Sequence, residues 1–348
     1  MLPYRIYVVH QTKTWENREM IEDFEVNVCK HENEYTYLIN NAEFQSYLKV
    51  VKVDSETGNV IAYEGAGFEI YNAQGEKISM SFTYPTNETV DVFYTNSEGY
   101  LITPEMLSCG EYSLVEVQAP YGYVLDGTPI SFTVSEENAE EENAVRVVKI
   151  TKENTAQKGR ISVQKSGDIF TSVAVLGSAI SVDEFGVEHE SGQTTYTPIF
   201  EESGLADAVF QVIASEDIVT ADGTVRANAG DVVAEITTDE NGYAETDLLY
   251  LGKYDVKEIS APYGYVLNSE IQTVELAYAG QEVAVRDAVN TAFVNDYQAI
   301  EISLEKIMES DELFNINGSD YHQNVRFGLF AVEETSVTLD PYRGLLYM

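Results

Sequence analysis

Hydrophobic and polar residues alternate along several stretches of the chain, as they do in a β-strand with one buried face. In one of these stretches Leu48, Val50 and Lys52 share a face, and the stretches around Lys165 and Lys306 alternate in the same way. Successive side chains of a strand point to opposite faces, so each lysine lies on the same face as its aliphatic neighbours. Lysine is rarely buried without a compensating group. The pattern therefore predicts strands with an inward-facing lysine, and compensating groups elsewhere in the chain.

The three lysines belong to a junction that recurs along the chain. An asparagine precedes each lysine by eleven residues, and the pairs are Asn41 and Lys52, Asn154 and Lys165, and Asn295 and Lys306. One such spacing carries no information, but three equal spacings indicate a repeat.

Two long stretches between the junctions carry the same landmarks in the same order. Each has an aromatic landmark, a turn ending in Gly-Tyr, a glutamate that shares a strand face with a tyrosine, and the heptapeptide Ala-Pro-Tyr-Gly-Tyr-Val-Leu. The spacing from phenylalanine to glutamate is identical in the two stretches. The landmark residues are Phe68, Glu116 and Asn154 in the first stretch and Phe210, Glu258 and Asn295 in the second.

These landmarks predict the domain boundaries. Residues 48–157 form a first unit and residues 158–298 a second unit, whose extra length is an exposed inserted loop at 168–205. Residues 1–47 are interpreted as the C-terminal part of a truncated β domain, and residues 299–348 as the N-terminal part of another. Within the first of these partial domains, alternation predicts strands over Tyr4–Val9, Phe24–Cys29 and Tyr35–Asn41. The whole is interpreted as a fragment of a longer repeat protein.

Composition supports an all-β fold and excludes several classes of function. Tyrosine is abundant, with 24 residues, and no long stretch has a helical period. The formal charge of −39 repels nucleic acid and anionic membrane, so we expect neither as a partner. Cys29 and Cys109 are too few for a disulfide framework. No apolar run has transmembrane length, and we find neither a signal peptide nor a sorting signal.

Each unit offers a lysine, a glutamate and an asparagine in strand context. Burial lowers the pKa of a lysine and raises that of a glutamate, because both charged forms are disfavoured in apolar surroundings. A neutral amine can attack the carbonyl carbon of the asparagine side chain while the carboxyl group transfers protons. Ammonia then leaves and an isopeptide bond remains. The reaction turns over once, so it is a self-modification and the chain is not expected to be an enzyme.

The order of these motifs resembles that of the CnaB-type domains, also called SpaA-type or prealbumin-like, of Gram-positive surface adhesins and pilins. The resemblance is carried by Lys, Ala-Gly-Phe, Tyr-x-Leu-x-Glu-x-x-Ala-Pro-x-Gly-Tyr and Asn, in that order, and it covers both complete units. It implies tandem small β-sandwiches, prealbumin-like or immunoglobulin-like, with the lysine on the first strand and the asparagine on the last.

The resemblance also implies the cross-links and the setting of the protein. Lys52 pairs with Asn154 beside Glu116, and Lys165 pairs with Asn295 beside Glu258; Asn41 and Lys306 are unpaired halves in the partial domains. The implied function is a structural stalk in a secreted cell-wall protein, extracellular at the cell surface. Covalent attachment to the cell wall in the parent protein and a host extracellular-matrix or surface ligand are the implied partners. No cofactor is implied.

Three alternatives stay open. The loop 168–205 could make the chain a ligand-binding adhesin module, or the chain could be an accessory domain of a secreted carbohydrate-active enzyme. The lysine, glutamate and asparagine could also be ordinary surface groups, which is the usual situation for such residues in strands. The aspartates of the second unit, Asp217, Asp222 and Asp231, fit no calcium-binding spacing, so no metal is expected.

Overall fold

The structure of the chain is a computed structural model that describes residues 2–15, 17–30, 33–82, 87–176, 180–182, 188–190 and 195–298. All regular secondary structure in these residues is β-strand, which confirms the all-β prediction. The same residues contain no helix long and apolar enough to cross a membrane. The predicted partial domain at 299–348, with Lys306, lies outside the described residues.

The first part of the chain contains one short hairpin. Strands β1 (Arg5–Val9) and β2 (Phe24–Val28) pair antiparallel, close to the predicted positions. The third predicted strand, Tyr35–Asn41, is not formed. A strand needs the backbone N–H and C=O groups of a neighbour, and no strand in the described part of the chain pairs with Tyr35–Asn41.

The first unit is a sandwich of two sheets. One sheet has the strand order β12-β13-β3-β8, with β9 also paired to β3, and the other has the order β11-β10-β4-β7. A short hairpin, β5 and β6, extends from the sandwich. The strands are β3 (Gln45–Asp54), β4 (Gly67–Asn72), β5 (Met80–Phe82), β6 (Glu88–Val90), β7 (Phe93–Tyr94), β8 (Tyr100–Ile102), β9 (Leu107–Ser108), β10 (Gly110–Gln118), β11 (Ile130–Val134), β12 (Glu140–Glu142) and β13 (Val145–Asn154).

The second unit repeats this plan. Its first sheet is centred on β14, which pairs with β17, β22, β23 and β26, and its second sheet has the order β21-β18-β24-β25. The strands are β14 (Lys158–Leu176), β15 (Ile180–Val182), β16 (Glu188–Glu190), β17 (Thr195–Gly204), β18 (Val209–Ala214), β19 (Ile218–Val219), β20 (Val225–Ala227), β21 (Val232–Thr237), β22 (Tyr243–Glu245), β23 (Leu249–Tyr250), β24 (Gly252–Ser260), β25 (Ile271–Leu276) and β26 (Val285–Asn295).

The first and last strands of each unit are neighbours and run parallel. In the first unit β3 pairs with β13, and in the second β14 pairs with β26. On the inward face of β3, Leu48, Val50 and Lys52 are all fully buried, as alternation predicted. The inner faces of the two sheets form one core in each unit. The chain therefore enters and leaves each sandwich along adjacent strands.

The segment 168–205 is more regular than the predicted loop. β14 continues beyond the sandwich to Leu176 and pairs antiparallel with β17, which begins at Thr195. A second small hairpin, β15 and β16, follows the first strand of this ribbon. The described part of this extra length is thus a two-stranded β-ribbon, formed by the continuation of β14 and by β17.

The two units also contact each other. Ile61, Tyr123 and Ala156 of the first unit form a small buried cluster, against which Ala221 and Tyr250 of the second unit pack. Burial of apolar side chains on both sides makes this a packed joint between the sandwiches.

Candidate cross-linking site

Three strands place the predicted triad in each unit. The lysine is on the first strand and the asparagine is the last residue of the neighbouring last strand, two residues beyond the position paired with the lysine. The glutamate comes from the opposite sheet, on β10 or β24, and faces the other two across the core. All six side chains are buried: Lys52, Glu116 and Asn154 in the first unit and Lys165, Glu258 and Asn295 in the second.

In the first unit Glu116 lies between its two partners. The Lys52 Nζ is 2.8 Å from Glu116 Oε1, an ion-pair distance without hydrogen-bond alignment. The Asn154 Nδ2 donates to Glu116 Oε2 at 2.8 Å and to the Val124 carbonyl oxygen at 2.7 Å. The buried Asn154 Oδ1 has no hydrogen-bond partner among the described residues. One carboxylate therefore contacts both the amine and the amide.

In the second unit the amine also contacts the amide directly. The Lys165 Nζ donates a hydrogen bond to Asn295 Oδ1 and lies 3.4 Å from Glu258 Oε1. The Asn295 Nδ2 donates to the same carboxylate oxygen at 2.9 Å. The three groups form a closed triangle of contacts in a fully desolvated site.

The remaining contacts of the glutamates are also alike. The backbone N–H of Asp126 donates to Glu116 Oε2 at 3.1 Å, and that of Asn268 donates to Glu258 Oε2 at 2.7 Å. These bonds orient each carboxylate, because a carboxylate oxygen accepts hydrogen bonds in fixed directions. The second oxygen stays available to the lysine.

Each lysine is held by the turn that ends in Gly-Tyr. The Lys52 N–H donates to the Gly99 carbonyl oxygen at 2.9 Å, and the Lys165 N–H donates to that of Gly242 at 2.7 Å. Gly242 has a φ of +75°, and a Cβ at this position would lie 2.1 Å from the Lys165 carbonyl oxygen. Only glycine fits this conformation and this approach. The turn that ends in Gly-Tyr, present in both units, thus has a positioning role.

The repeated heptapeptide holds the chain just after each asparagine. In the first unit the Val124 N–H donates to the Thr155 carbonyl oxygen at 2.9 Å, and the Gln157 N–H donates to that of Gly122 at 2.8 Å. The second unit has the matching bonds, from Val266 to Asp296 and from Gln298 to Gly264. The motif is a structural turn that also supplies the carbonyl group bonded to Asn154.

Burial sets the electrostatics of the lysines. Desolvation, opposed by the Glu116 carboxylate, lowers the pKa of Lys52 from the ordinary 10.5 to about 8. Desolvation likewise lowers the pKa of Lys165, again opposed by its glutamate. Phe68 and Phe210, both fully buried, lie below the amines at 5.7 Å and 6.0 Å from Nζ to ring centre. Burial therefore shifts the protonation equilibrium of both amines toward the neutral form.

The arrangement brings together the groups that amide attack by an amine requires. A neutral amine would be the nucleophile, the asparagine side chain the acceptor, and a carboxyl group in contact with both would move protons between them. Near-attack placement of reacting groups is worth roughly 7–11 kcal/mol of the barrier. No cluster of metal-binding side chains occurs in the described residues, and the chemistry needs none.

The predicted half-site at Asn41 has different surroundings. Its Nδ2 donates to Gln11 Oε1 at 2.8 Å and to the Glu19 carbonyl oxygen at 2.6 Å. Neither contact involves a lysine. Its predicted counterpart at the other end, Lys306, is outside the described residues.

Lys152 and Asp126 belong to the first site but were not identified from the sequence. Lys152 is buried beside the triad and its Nζ is 2.7 Å from Asp126 Oδ2. The signal was present, because Ile150, Lys152 and Asn154 alternate onto one face of a strand. The landmarks shared by the two units did not include it, since the second unit has Phe293 at that position.

These features define a class of protein, a tandem array of β-sandwiches with first and last strands adjacent. A family model described as the SpaA prealbumin-like fold domain matches residues 46–149 and 198–289, more than half of the chain. The chain belongs to this family, as the sequence motifs predicted. Both of its units carry a match, and the β-ribbon tip between 168 and 197 lies between the two matched ranges.

Solved structures of the same kind are similar to the chain. The Bacillus anthracis TIE protein is 22% identical with a TM-score of 0.46, and the match covers 84% of this chain and 42% of that one. A C-terminal fragment of the pilus adhesin SpaC from Lactobacillus rhamnosus GG is 15% identical, with a TM-score of 0.34 and coverage of 74% and 100%. The minor pilin GBS52 from Streptococcus agalactiae is 14% identical, with a TM-score of 0.27 and coverage of 75% and 100%. No curated protein sequence matches the chain significantly.

Proposed function

We propose that the chain is a stalk segment of a Gram-positive cell-surface protein, stiffened by one isopeptide bond in each unit. The observation that carries the proposal is the burial of a complete lysine, glutamate and asparagine set in both sandwiches. The bonds join Lys52 to Asn154 and Lys165 to Asn295. Family membership and the pilin and adhesin names of the similar structures support the cell-surface setting.

The proposed reaction balances without any co-reactant. The lysine Nζ forms a bond to the asparagine Cγ, and the bond from Cγ to Nδ2 breaks. The carboxyl group of Glu116 or Glu258 takes a proton from the attacking amine and returns it to the leaving nitrogen, which departs as ammonia. Each bond forms once, and the glutamate is regenerated.

The position of the bonds gives them a mechanical role. Tension entering along β3 reaches Lys52, crosses the bond to Asn154 and passes directly into the second unit, so that residues 53–153 carry no load. The same holds between Lys165 and Asn295. A cross-link that closes a loop of about 100 residues also adds on the order of 4.7 kcal/mol of stability in the chain-entropy model.

Intact mass spectrometry of the full chain tests the bonds. We expect a mass lower than the sequence mass by two ammonia molecules, and lower by only one in Glu116→Gln and in Glu258→Gln. Glu142→Gln is the control, because Glu142 pairs with Lys49 at a partly exposed site and should leave both bonds intact. A wild-type chain with its full sequence mass would refute the cross-links.

Single-molecule pulling tests the stalk role. Under load, a cross-linked chain should extend without unfolding the residues that lie between the two linked positions of each unit. Glu258→Gln should release the second unit only. Extension of both units in the wild-type chain would contradict a load-bearing function.

A ligand-binding function of the β-ribbon is the second candidate. The tip of the ribbon lies outside both ranges that match the family model, so it is an addition to the shared fold. Binding sites are commonly carried by such additions on a rigid scaffold. Replacing residues 170–200 by a short glycine-serine turn should abolish binding to host matrix proteins if the ribbon is the binding element, while unchanged binding would exclude it. The chain spans 42% of the TIE protein that it matches. Covalent attachment to the cell wall is therefore proposed for the parent protein and not for this chain.

A further inference from the structure

The first unit contains a second buried lysine that the proposed reaction does not use. Lys152 is 4% exposed, and its position in β13 is paired with that of Lys52 in β3. Its Nζ donates to Asp126 Oδ2 at 2.7 Å and to the Thr128 carbonyl oxygen at 3.1 Å. Two amines and two carboxyl groups are therefore crowded at one end of this core.

The second unit has neither member of this extra pair. Phe293 occupies the position of Lys152 and packs on Phe210 with 4.9 Å between ring centres. Asn268 occupies the position of Asp126 and keeps its backbone hydrogen bond to the glutamate. The two sites thus differ in charge while the backbone plan is the same. Both extra positions are charged in one unit and both are neutral in the other.

We propose that Lys152 is a positioning residue for the first cross-link, resting on the function proposed above: by holding Asp126 it prevents this carboxylate from competing with Glu116 for the Lys52 amine. The backbone N–H of Asp126 is bonded to Glu116, so its side chain starts close to the reacting groups. The ion pair with Lys152 engages Asp126 Oδ2 and holds that carboxylate on the neighbouring amine.

Electrostatics explains why an unpaired Asp126 would slow the reaction. The charged groups that face the Lys52 amine are Glu116, Lys152 and Asp126, and the two carboxylates favour its protonated form while Lys152 disfavours it. The hydrogen bond from Lys152 is the main cause that lowers the pKa of Asp126 to about 2, so Asp126 is charged at neutral pH. Without Lys152 that charge would act on Lys52 with no opposing cation, and a protonated amine cannot attack. The second unit avoids the conflict because Asn268 is neutral.

Exchanging the pair between the units tests the proposal. The full chain, recovered unreacted in urea, is diluted into buffer at pH 7 and at pH 9, and the linked peptides of both units are followed over time by mass spectrometry. Lys152→Phe should slow the first bond at pH 7, by about tenfold for each unit that the pKa of Lys52 rises. The loss should shrink at pH 9. Asp126→Asn together with Lys152→Phe reproduces the second unit and should restore the rate.

The second unit supplies the reciprocal variants and an internal control for the reaction rate. Asn268→Asp should slow the second bond at pH 7, and adding Phe293→Lys should restore it. In the Lys152 variants the second bond should form at its usual rate, which reports correct folding and handling of the chain.

The outcomes separate this inference from the proposed function. A first bond that forms at the wild-type rate in Lys152→Phe at both pH values overturns the inference alone, provided the second bond forms. An equal loss in the single and the double variant at both pH values would make Lys152 a packing residue and also overturn it. If neither bond forms in the wild-type chain, the proposed function fails and the inference with it.

Discussion

Asp54 of the first unit and Arg226 of the second form an ion pair across the joint between the sandwiches. The Arg226 Nη2 is 3.1 Å from Asp54 Oδ2, and the Asp54 side chain is fully buried. The Tyr123 hydroxyl donates to the same oxygen at 3.0 Å. Asp54 follows Lys52 by two residues in β3, so the joint is anchored directly beside the first cross-linking site.

Loss of this ion pair should loosen the joint. Arg226→Met leaves a buried carboxylate without its cation, and we expect the free energy of unfolding to fall by about 1–3 kcal/mol. Small-angle scattering should show a wider range of inter-unit distances. Arg160→Met is the control, because Arg160 forms a partly exposed pair with Glu245 that contributes about 1 kcal/mol or less. Equal effects of the two variants would show that the joint does not depend on Arg226.

The joint also depends on a buried glutamine. Gln157, 1% exposed, donates to the carbonyl oxygens of Gly280 and Val283 and accepts from the Ala279 N–H. Gln157→Ala should cost about 1–3 kcal/mol in urea unfolding, because these groups are left unsatisfied. The exposed Gln164 bonds only one carbonyl group in the hydrogen bonds of the described residues, so Gln164→Ala should change stability little. A neutral Gln157→Ala would contradict this assignment.

The second tyrosines of the two heptapeptides should differ in their contribution to stability. Tyr123 donates to the Asp54 carboxylate, whereas Tyr265 donates to the backbone carbonyl of Asp168 at 2.8 Å. Hydrogen bonds to charged groups contribute about 1.5–3 kcal/mol and neutral ones about 0.5–1.5 kcal/mol. Tyr123→Phe should therefore destabilise the chain more than Tyr265→Phe in denaturant unfolding. The reverse order would disagree with the observed partners.

The turn glycine beside Lys165 should tolerate no side chain. Gly242→Ala adds a clash with a backbone carbonyl to the cost of a positive φ, and should slow formation of the second bond as well as lower stability. Gly223→Ala has a similar φ of +81° and no atom within 4 Å of the added Cβ, so only the conformational cost of about 1–2 kcal/mol applies. Thermal unfolding and mass spectrometry of both variants compare the two effects directly.

A chain that cannot form the Lys52–Asn154 bond should become more stable as the pH rises. In Asn154→Ala, Lys52 stays a free amine whose pKa of about 8 in the folded state is below its ordinary 10.5. Between pH 8 and 10.5 the unfolded chain binds more protons than the folded chain, so the free energy of unfolding increases with pH. Well below pH 8 the amine is charged in both states, and the folded state is destabilised by the full cost of burying that charge. We expect a gain of about 2 kcal/mol from pH 8 to 9.5 in urea unfolding. Lys52→Met with Asn154→Ala should lack that gain, and a gain of equal size there would exclude Lys52 as its source.

Alternation predicted most of the inward-facing residues. Val50, Lys52 and Glu116 are buried as their strand phase required, and Tyr254, Val256 and Glu258 follow the same rule. The strand phase is a local property of the pleated backbone, so it can be read from neighbouring residues alone. The comparison of the two repeats added the order of the triad.

Alternation failed where pairing was needed. The predicted strand Tyr35–Asn41 has the right pattern, but no strand among the described residues pairs with it. The segment 168–205 has a composition typical of a loop, yet β14 continues into it and pairs with β17 to form a ribbon. Strand formation depends on a partner as much as on the residues themselves.

The sequence by itself determined which residues point inward and in what order they follow one another, because a period of two depends only on the chain next to each residue. Only the tertiary structure decided which of them meet. It brought Glu116 across from the opposite sheet, placed Lys152 against Asp126 beside Lys52, and joined Asp54 to Arg226 between units. These contacts link positions far apart in the chain, and their distances exist only after both sheets have packed.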